Sequence, residues 1–356
     1  MKILQVIPYF CFGGAETMCE NLTYALTKLG HSVTVVSLYN EKTPISCRME
    51  EAGVRILYLD KKLGLDVSMV TKLAKIMRRE KPDVVHSHLN VIKYTVAAAK
   101  LSGIRRCIHT VHNVAHEEAE GRVEKIIRTI YFKLGLSIPV ALSPEVRATI
   151  VSFYGLKEEK VPMIYNGVDL GKCLPKENYS LAKPARLLHI GRFNAQKNHK
   201  GLLEAFAKIA ESCPNCVLQL IGDGELREET QQLAVTLGIR DKVIFLGNQT
   251  NIYPFLQEAD IFLLPSIFEG MPMTIIEAMG TGLPIVASNV GGVPDMLEDG
   301  NSGLLVSCDP DAVAGAVVQL LEQKNLREKL GTNALCSSRT FGADHMACCY
   351  CELYTK

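Results

Sequence analysis

The sequence predicts an α/β protein built from two doubly wound units, each a parallel sheet covered by helices. Three observations predict it. A chain of 356 residues is longer than one ordinary core accommodates, so two domains is the natural division. Short runs rich in Val and Ile alternate almost throughout with amphipathic stretches of roughly ten to fifteen residues, the pattern of buried parallel strands joined by crossover helices. The alternation breaks once, after Asn166-Gly167-Val168-Asp169, in an unperiodic stretch holding Lys172, Pro175, Lys176, Asn178, Lys183 and Pro184, and it restarts at Arg186.

In chain order, the first unit (1–168) offers strands at Lys2–Ile7, Val33–Ser37, Arg55–Leu59, Val84–Ser87, Cys107–Val111 and Val140–Ser143, with a last one near Met163–Tyr165. The second unit (from 169) offers Leu187–Ile190, Val217–Ile221, Val243–Leu246, Ile261–Leu264, Ile285–Ala287 and Gly303–Val306. Two such units facing each other would leave a cleft at the carboxyl ends of their strands, where this architecture binds ligands.

A hydrophobic share of 47%, a charged share of 22% and a net charge of +1 exclude a disordered chain or a polyelectrolyte, and make nucleic acid an unexpected partner. The balance hides an asymmetry. Residues 1–170 carry 23 Lys and Arg against 17 Asp and Glu, and residues 171–356 carry 16 against 21, so the first half is the basic one. Its cations gather at Lys61, Lys62, Lys72, Lys75, Arg78, Arg79 and Lys81, and again at Arg122, Lys125, Arg128 and Lys133, among apolar residues at helical spacing. Two readings stand: a solvated face over an ordinary core stripe, or a surface that rests on anionic lipid. With no apolar run of about 18 residues and no signal peptide, the body is expected in the cytoplasm, peripheral at the inner membrane face under the second reading. Twelve scattered cysteines fit a reducing compartment. Neither the C-x-x-C at Cys213 and Cys216 nor the group His345, Cys348, Cys349 and Cys351 has the ligand pattern of structural zinc.

The first strand leads through Pro8 to Gly13-Gly14-Ala15-Glu16-Thr17 and a helix. Glycines in that position let backbone amides approach a phosphate, and equally serve a plain turn. The pattern is not G-x-G-x-x-G, and the second strand ends in Ser37-Leu38-Tyr39-Asn40 with no early acidic residue for a ribose, so a nicotinamide cofactor is not indicated. Arg192 and Lys197 follow the first strand of the second unit and are placed to neutralise a diphosphate. The most informative segment runs from Leu264 to Gly280. A strand ends at Pro265, Gly270 frees the loop, and Pro272 marks the first turn of a helix, so the amides of Met271, Met273 and Thr274 are expected to point at a ligand. Glu269 precedes that helix and Glu277 lies within it.

This segment, with glutamates seven residues apart, resembles the signature of retaining glycosyltransferase family 4, proteins of the GT-B fold. The resemblance extends over nearly the whole chain: Gly-Gly-Ala-Glu, His86-Ser87-His88, Thr110-Val111-His112-Asn113, Tyr165 to Asp169, Gly191-Arg192 with Lys197, Gly222-Asp223-Gly224 and Gly291-Gly292-Val293-Pro294. It implies that Arg192 and Lys197 bind the diphosphate of a nucleotide sugar and Glu277 the ribose. It gives the transferred sugar to Glu269 with Gly270, Met271, Pro272, Met273 and Thr274, and sets His112 beside that sugar. Gly13 and Gly14 would close over the phosphates, and Gly222 and Gly224 would lie near the base, most often uracil and next guanine. A stretch at about 338–356 would cross back onto the first, acceptor-side domain, leaving 169–337 as the donor-binding domain. His86 and His88 take a structural or acceptor-side role rather than a metal's, and neither a metal nor another cofactor is implied. The implied reaction moves a hexosyl or N-acetylhexosaminyl group to a hydroxyl acceptor, lipid-linked if the basic stretches meet a membrane, in polysaccharide or glycolipid assembly. A nucleotide-sugar 2-epimerase shares the architecture but not this motif order, and a non-catalytic partner subunit would be expected to lack the glutamates and the two cations.

Overall fold

Lys2 is the only exposed residue of β1 (Lys2–Ile7), and the rest of the strand is buried, as a strand covered on both faces requires. In the computed structural model, which describes residues 1–11, 13–119 and 121–356, β1 lies inside a six-stranded parallel sheet. Its companions are β2 (Ser32–Ser37), β3 (Arg55–Tyr58), β4 (Val84–His88), β5 (Arg106–Val111) and β6 (Ile138–Ala141), in the order β3-β2-β1-β4-β5-β6. The crossovers are α1 (Gly14–Lys28), α2 (Pro44–Glu51), α3 (Ser68–Glu80), α4 (Ile92–Leu101), α5 (Ala115–Glu118) with α6 (Gly121–Lys133), and α7 (Pro144–Tyr154) follows β6.

The second sheet repeats the plan. Its strands are β7 (Ala185–Ile190), β8 (Cys216–Ile221), β9 (Val243–Gly247), β10 (Ile261–Leu264), β11 (Ile285–Ser288) and β12 (Leu304–Val306), ordered β12-β11-β10-β7-β8-β9. Counted from β7, this is the order of the first sheet. Its helices are α8 (His199–Ser212), α9 (Arg227–Thr236), α10 (Tyr253–Glu258), α11 (Met273–Thr281), α12 (Pro310–Glu322) and α13 (Lys324–Ser338). The chain ends in α14 (Ala343–Thr355), which belongs to the first unit: one compact unit comprises Met1–Val168 with Ala343–Lys356, the other Asp169–Gly342.

Three boundaries differ from the sequence reading. The strand expected near Met163–Tyr165 is a single parallel bridge between Ala141 and Met163, because Pro162 lends only its carbonyl, to Ala141 N at 3.0 Å. The strand expected at Val140–Ser143 ends at Ala141, since Ser143 caps α7, its hydroxyl accepting from Val146 N at 3.2 Å ahead of Pro144. The return to the first unit starts at Ala343, whose amide donates to Val168 O at 2.8 Å, a few residues later than about 338. Tyr350 and Tyr354 then fix α14 from inside: Tyr350 OH meets Thr110 Oγ1, and Tyr354 OH meets His86 Nδ1, each at 2.7 Å.

Candidate active site

Strands β7 and β10 are neighbours where the strand order of the second sheet reverses, the point at which doubly wound sheets bind ligands. The loops that leave them are laced together. Ile267 N donates to Gln196 O at 2.8 Å, Gln196 Nε2 to Phe268 O at 3.0 Å and Asn198 Nδ2 to Pro265 O at 3.1 Å. Asn198 adopts a left-handed φ of 53° and its Oδ1 accepts from Gly201 N, so the loop turns directly into α8. The lacing brings Lys197 Nζ within 2.5 Å of Glu269 Oε1, an oxygen that also accepts from Ser266 Oγ at 2.6 Å. Only 16% of the lysine side chain and 5% of the glutamate side chain remain exposed. Arg192, in the same loop, is 66% exposed and meets Glu225 at 3.2 Å. The two cations that the sequence groups together thus stand in different surroundings, one embedded against a carboxylate and one on the rim.

Helix α11 begins at Met273. Pro272 is its N-cap (φ −70°, ψ 117°), one position earlier than a first-turn residue. The first turn still leaves amides without intrahelical acceptors, and Thr274 Oγ1 is buried there with no hydrogen-bond partner among the described residues. Glu277 is buried about a turn further along, and Met271 and Met273 are buried beside Gly270, whose carbonyl accepts from Gly292 N at 3.0 Å. Gly222 and Gly224 have φ of 133° and 159°, and a Cβ on them would lie 2.1 Å from Gly191 O and 2.5 Å from Phe193 O. Only glycine allows these two backbone segments to touch. Beneath the loop lie His189 and His199. His189 Nδ1 donates to Leu263 O at 2.9 Å, while His189 Nε2 and both nitrogens of His199 are unpartnered among the described residues. Burial pushes His189 down to about 4 and His199 down to about 2, so both are neutral at neutral pH.

The carboxyl end of the first sheet is built differently. Gly13 is the extended N-cap of α1, Gly14 is its first residue, and a Cβ on Gly13 would lie 2.4 Å from Glu16 Oε2. Glu16 is buried, accepts from Cys11 Sγ at 2.9 Å, and is raised above the usual carboxyl range by burial. His112 follows β5. Its Nε2 meets His88 Nδ1 at 3.1 Å, and His88 Nε2 meets Gln5 Oε1 at 2.9 Å. His86 places Nδ1 on Tyr354 OH and Nε2 on Thr110 Oγ1, both at 2.7 Å. All four ring nitrogens of the His86 and His88 pair are therefore spent on hydrogen bonds. Glu118 accepts from His112 N at 2.7 Å, His109 Nε2 at 3.0 Å and Arg128 Nη1 at 3.0 Å. Burial alone would raise it, but the His109 hydrogen bond and the Arg128 charge hold it well below the carboxylate range. Arg128 is fully buried and also paired with Glu124 at 2.7 Å, so it is no part of the basic surface the sequence suggested.

The two basic stretches divide between the two readings. On α3, Met69, Leu73, Ala74, Ile76 and Met77 are all buried beneath Lys75, Arg78 and Arg79, the arrangement of a solvated face. On α6 and just past its end, Val123, Ile126, Ile130 and Leu134 remain 72%, 58%, 47% and 68% exposed. The one acidic side chain of α6, Glu124, is buried against Lys93 and Arg128. No described helix is long and apolar enough to cross a membrane.

Comparison with known proteins agrees with this geometry. Residues 12–172 match the model described as Glycosyltransferase Family 4, and residues 175–335 the model described as Glycosyl transferases group 1. The lipopolysaccharide core biosynthesis glycosyltransferase LpsD of Rhizobium meliloti is 31% identical over 363 residues, covering 100% of this chain and 98% of that one. The UDP-Gal:alpha-D-GlcNAc-diphosphoundecaprenol alpha-1,3-galactosyltransferase of Escherichia coli is 29% identical over 81% of this chain and 83% of its own. Among solved structures, Anabaena Alr3699/HepE in complex with UDP superposes with a TM-score of 0.85 at 19% identity, with both chains covered in full. At that identity it shows the fold, and the fold is GT-B.

Proposed function

The chain belongs to the family 4, group 1 glycosyltransferases, and from that premise we propose that it transfers a sugar from UDP, with retention, to a hydroxyl of a lipid-linked acceptor. The observation that carries this reading is the Lys197–Glu269 pair at the β7/β10 switch point, beside the unpartnered Thr274 hydroxyl and the free first-turn amides of α11. Lys197, Arg192 and those amides together would balance a diphosphate, with no metal needed. Glu269 would hold hydroxyls of the sugar and Glu277 those of the ribose, and His112 would meet a hydroxyl of the sugar substrate.

Among the described groups of the second unit's site, none stands as an evident nucleophile apart from Glu269, and its Oε1 is engaged by Lys197 and Ser266. A front-face substitution fits that arrangement: the anomeric carbon loses its bond to the phosphate oxygen and gains one to the acceptor oxygen on the same face. The acceptor's proton passes to the departing phosphate oxygen. The protein then contributes mainly preorganised charge. UDP is preferred because HepE, which shares the fold, carries it in its crystals, and a lipid-linked acceptor because the Escherichia coli relative acts on a diphosphoundecaprenol sugar. The exposed apolar stripe of α6, flanked by Arg122, Lys125 and Lys133, supports a membrane-proximal acceptor.

A thermal-shift screen of nucleotide sugars tests the donor: a ligand at 100 times its Kd adds about 2.7 kcal/mol, and no shift with any UDP-sugar would remove the assignment. NMR of the product's anomeric configuration tests retention, and an inverted product refutes it. Sedimentation with liposomes tests the acceptor side. Binding that requires anionic lipid and is lost in Ile126→Asp is expected, and indifference to lipid argues for a soluble acceptor.

A further inference from the structure

One chain of hydrogen bonds in the first unit has a fixed polarity. It starts at the Cys19 carbonyl in α1, which can only accept. Thr23 Oγ1 donates its single hydrogen to that oxygen at 2.7 Å, so it must accept from the next group, Gln5 Nε2, also at 2.7 Å. The amide of Gln5 is thereby turned with its carbonyl oxygen toward His88, and that oxygen also receives Cys19 Sγ at 3.3 Å. His88 Nε2, 2.9 Å from Gln5 Oε1, must then carry hydrogen. A neutral His88 has no second hydrogen, so its Nδ1 accepts from His112 Nε2 at 3.1 Å. Thr23, Gln5 and His88 are all fully buried or nearly so, and water has no access to reverse the sequence.

We propose that Thr23, Gln5 and His88 are positioning residues that fix His112 as the Nε2–H tautomer, so that its Nδ1 presents a lone pair to a hydroxyl hydrogen of the sugar substrate. His112 Nδ1 has no hydrogen-bond partner among the described residues, which leaves it for a ligand. A lone pair there suits a hydroxyl, which can donate, and disfavours a phosphate oxygen, which can only accept. The choice of hydroxyl over phosphate is thus set by a backbone carbonyl four links away. The surroundings keep the chain neutral. Burial, with the neighbouring His86, His112 and His109, holds His88 well below the usual imidazole range, and burial pushes His112 down to about 4. The charged groups nearest the chain satisfy one another: Glu118 pairs with Arg128 and His109, Glu124 with Arg128 and Lys93, and the rings of His86, Tyr350 and Tyr354 pack above as neutral groups.

The hydroxyl contact rests on the role given to His112 above, whereas the tautomer does not, and the test separates them. Two-bond 15N–1H correlation spectra of the full-length, 15N-histidine-labelled protein without donor report which nitrogen of His112 is protonated. We expect Nε2–H and a bare Nδ1 in the natural protein and in Thr23→Ser, which keeps the hydroxyl. Thr23→Val leaves the Gln5 amide free to turn, and should populate the Nδ1–H form and lower kcat about tenfold, the scale of one hydrogen bond, with a smaller change in KM. A proton on Nδ1 in the natural protein, or Thr23→Val with unaltered tautomer and kcat, overturns the relay. His112→Ala turning over at the natural rate, with the tautomer as expected, retires the hydroxyl contact together with the role it rests on.

Discussion

The carboxyl ends of the two sheets share a strand order and nothing of their construction. In the first unit the polar groups are buried side chains bonded to one another: Gln5, His86, His88, His109, Thr110, Glu118 and Arg128, closed by Tyr350 and Tyr354. In the second they are loop backbone, helix amides and one embedded ion pair, with several polar atoms left unpartnered among the described residues. A network already satisfied has little to offer an incoming charge and serves as a frame, while a site with unpaired donors is poised for a ligand that completes it. The difference matches the proposed function, in which the second unit binds the anion and the first orients neutral groups.

The largest expected effect tests that division directly. Lys197→Ala and Arg192→Ala should each lower turnover about 100-fold or more, the scale of one lost preorganised donor, in steady-state transfer assays. Embedded Lys197 should be the worse loss, because its removal also leaves the buried Glu269 carboxylate without its counter-charge. Natural rates in both variants would detach the diphosphate from this unit and dissolve the comparison.

Next in size is a backbone effect confined to the second unit. A Cβ at Gly222 would sit 2.1 Å from Gly191 O, and at Gly30, with a φ of 84°, nothing lies within 4 Å. Gly222→Ala should therefore destabilise by about 2 to 3 kcal/mol, strain and overpacking together. Gly30→Ala should cost only about 1 kcal/mol of strain. Equal losses on chemical denaturation would mean that the 191–193 and 222–224 segments do not depend on their close approach.

Much of this was legible in the residues. All twelve described strands begin and end within two residues of their expected places, because buried parallel strands write long Val and Ile runs. Ser143 ends one strand two residues early because a cap before Pro144 outweighs apolar pattern, and Arg128 sits at helical spacing among surface cations yet points inward to two carboxylates. The loop motifs of the second unit were readable because Gly, Pro and Glu at fixed offsets dictate loop shape. The frame of the first unit was not, although its signal is present: Gln5, His86, His88, His109 and Thr110 interrupt otherwise apolar strands. Spacing reveals that such residues are buried but says nothing about which of them meet.

Acid sharpens the comparison by a smaller amount. Burial lowers His86, His88, His109 and His112 in the first unit, and His189 and His199 in the second. A histidine lowered in the fold binds its proton more readily when unfolded. Its stabilisation is complete above about pH 6.5 and is lost as pH falls toward the folded value, by about 1.4 kcal/mol per pH unit. Glu16, raised by burial, acts in the opposite sense, since its stabilisation is present at low pH and lost as pH rises, and it offsets part of one histidine's loss. Hydrogen exchange between pH 7 and 5 should therefore show β4, β5 and α14 opening before β7 and α8. The reverse order would mean that the first unit's network tolerates charge.

The smallest expected effect is none at all. A histidine pair two residues apart on a strand is a plausible pair of metal ligands by spacing alone, and a divalent ion would give the first unit the anion-binding capacity assigned to the second. Yet His86 and His88 give every ring nitrogen to Tyr354, Thr110, His112 and Gln5, so coordinating an ion would require breaking bonds that also hold α14 in place. Under the proposed function, charge on the leaving diphosphate is instead met by Lys197, Arg192 and the α11 amides. Chelation with EDTA should leave the transfer rate unchanged, and added Mg2+ should not raise it. A rate abolished by chelation and restored by Mg2+ would return part of the diphosphate's neutralisation to an ion, and Lys197→Ala would then lose far less than 100-fold at saturating metal.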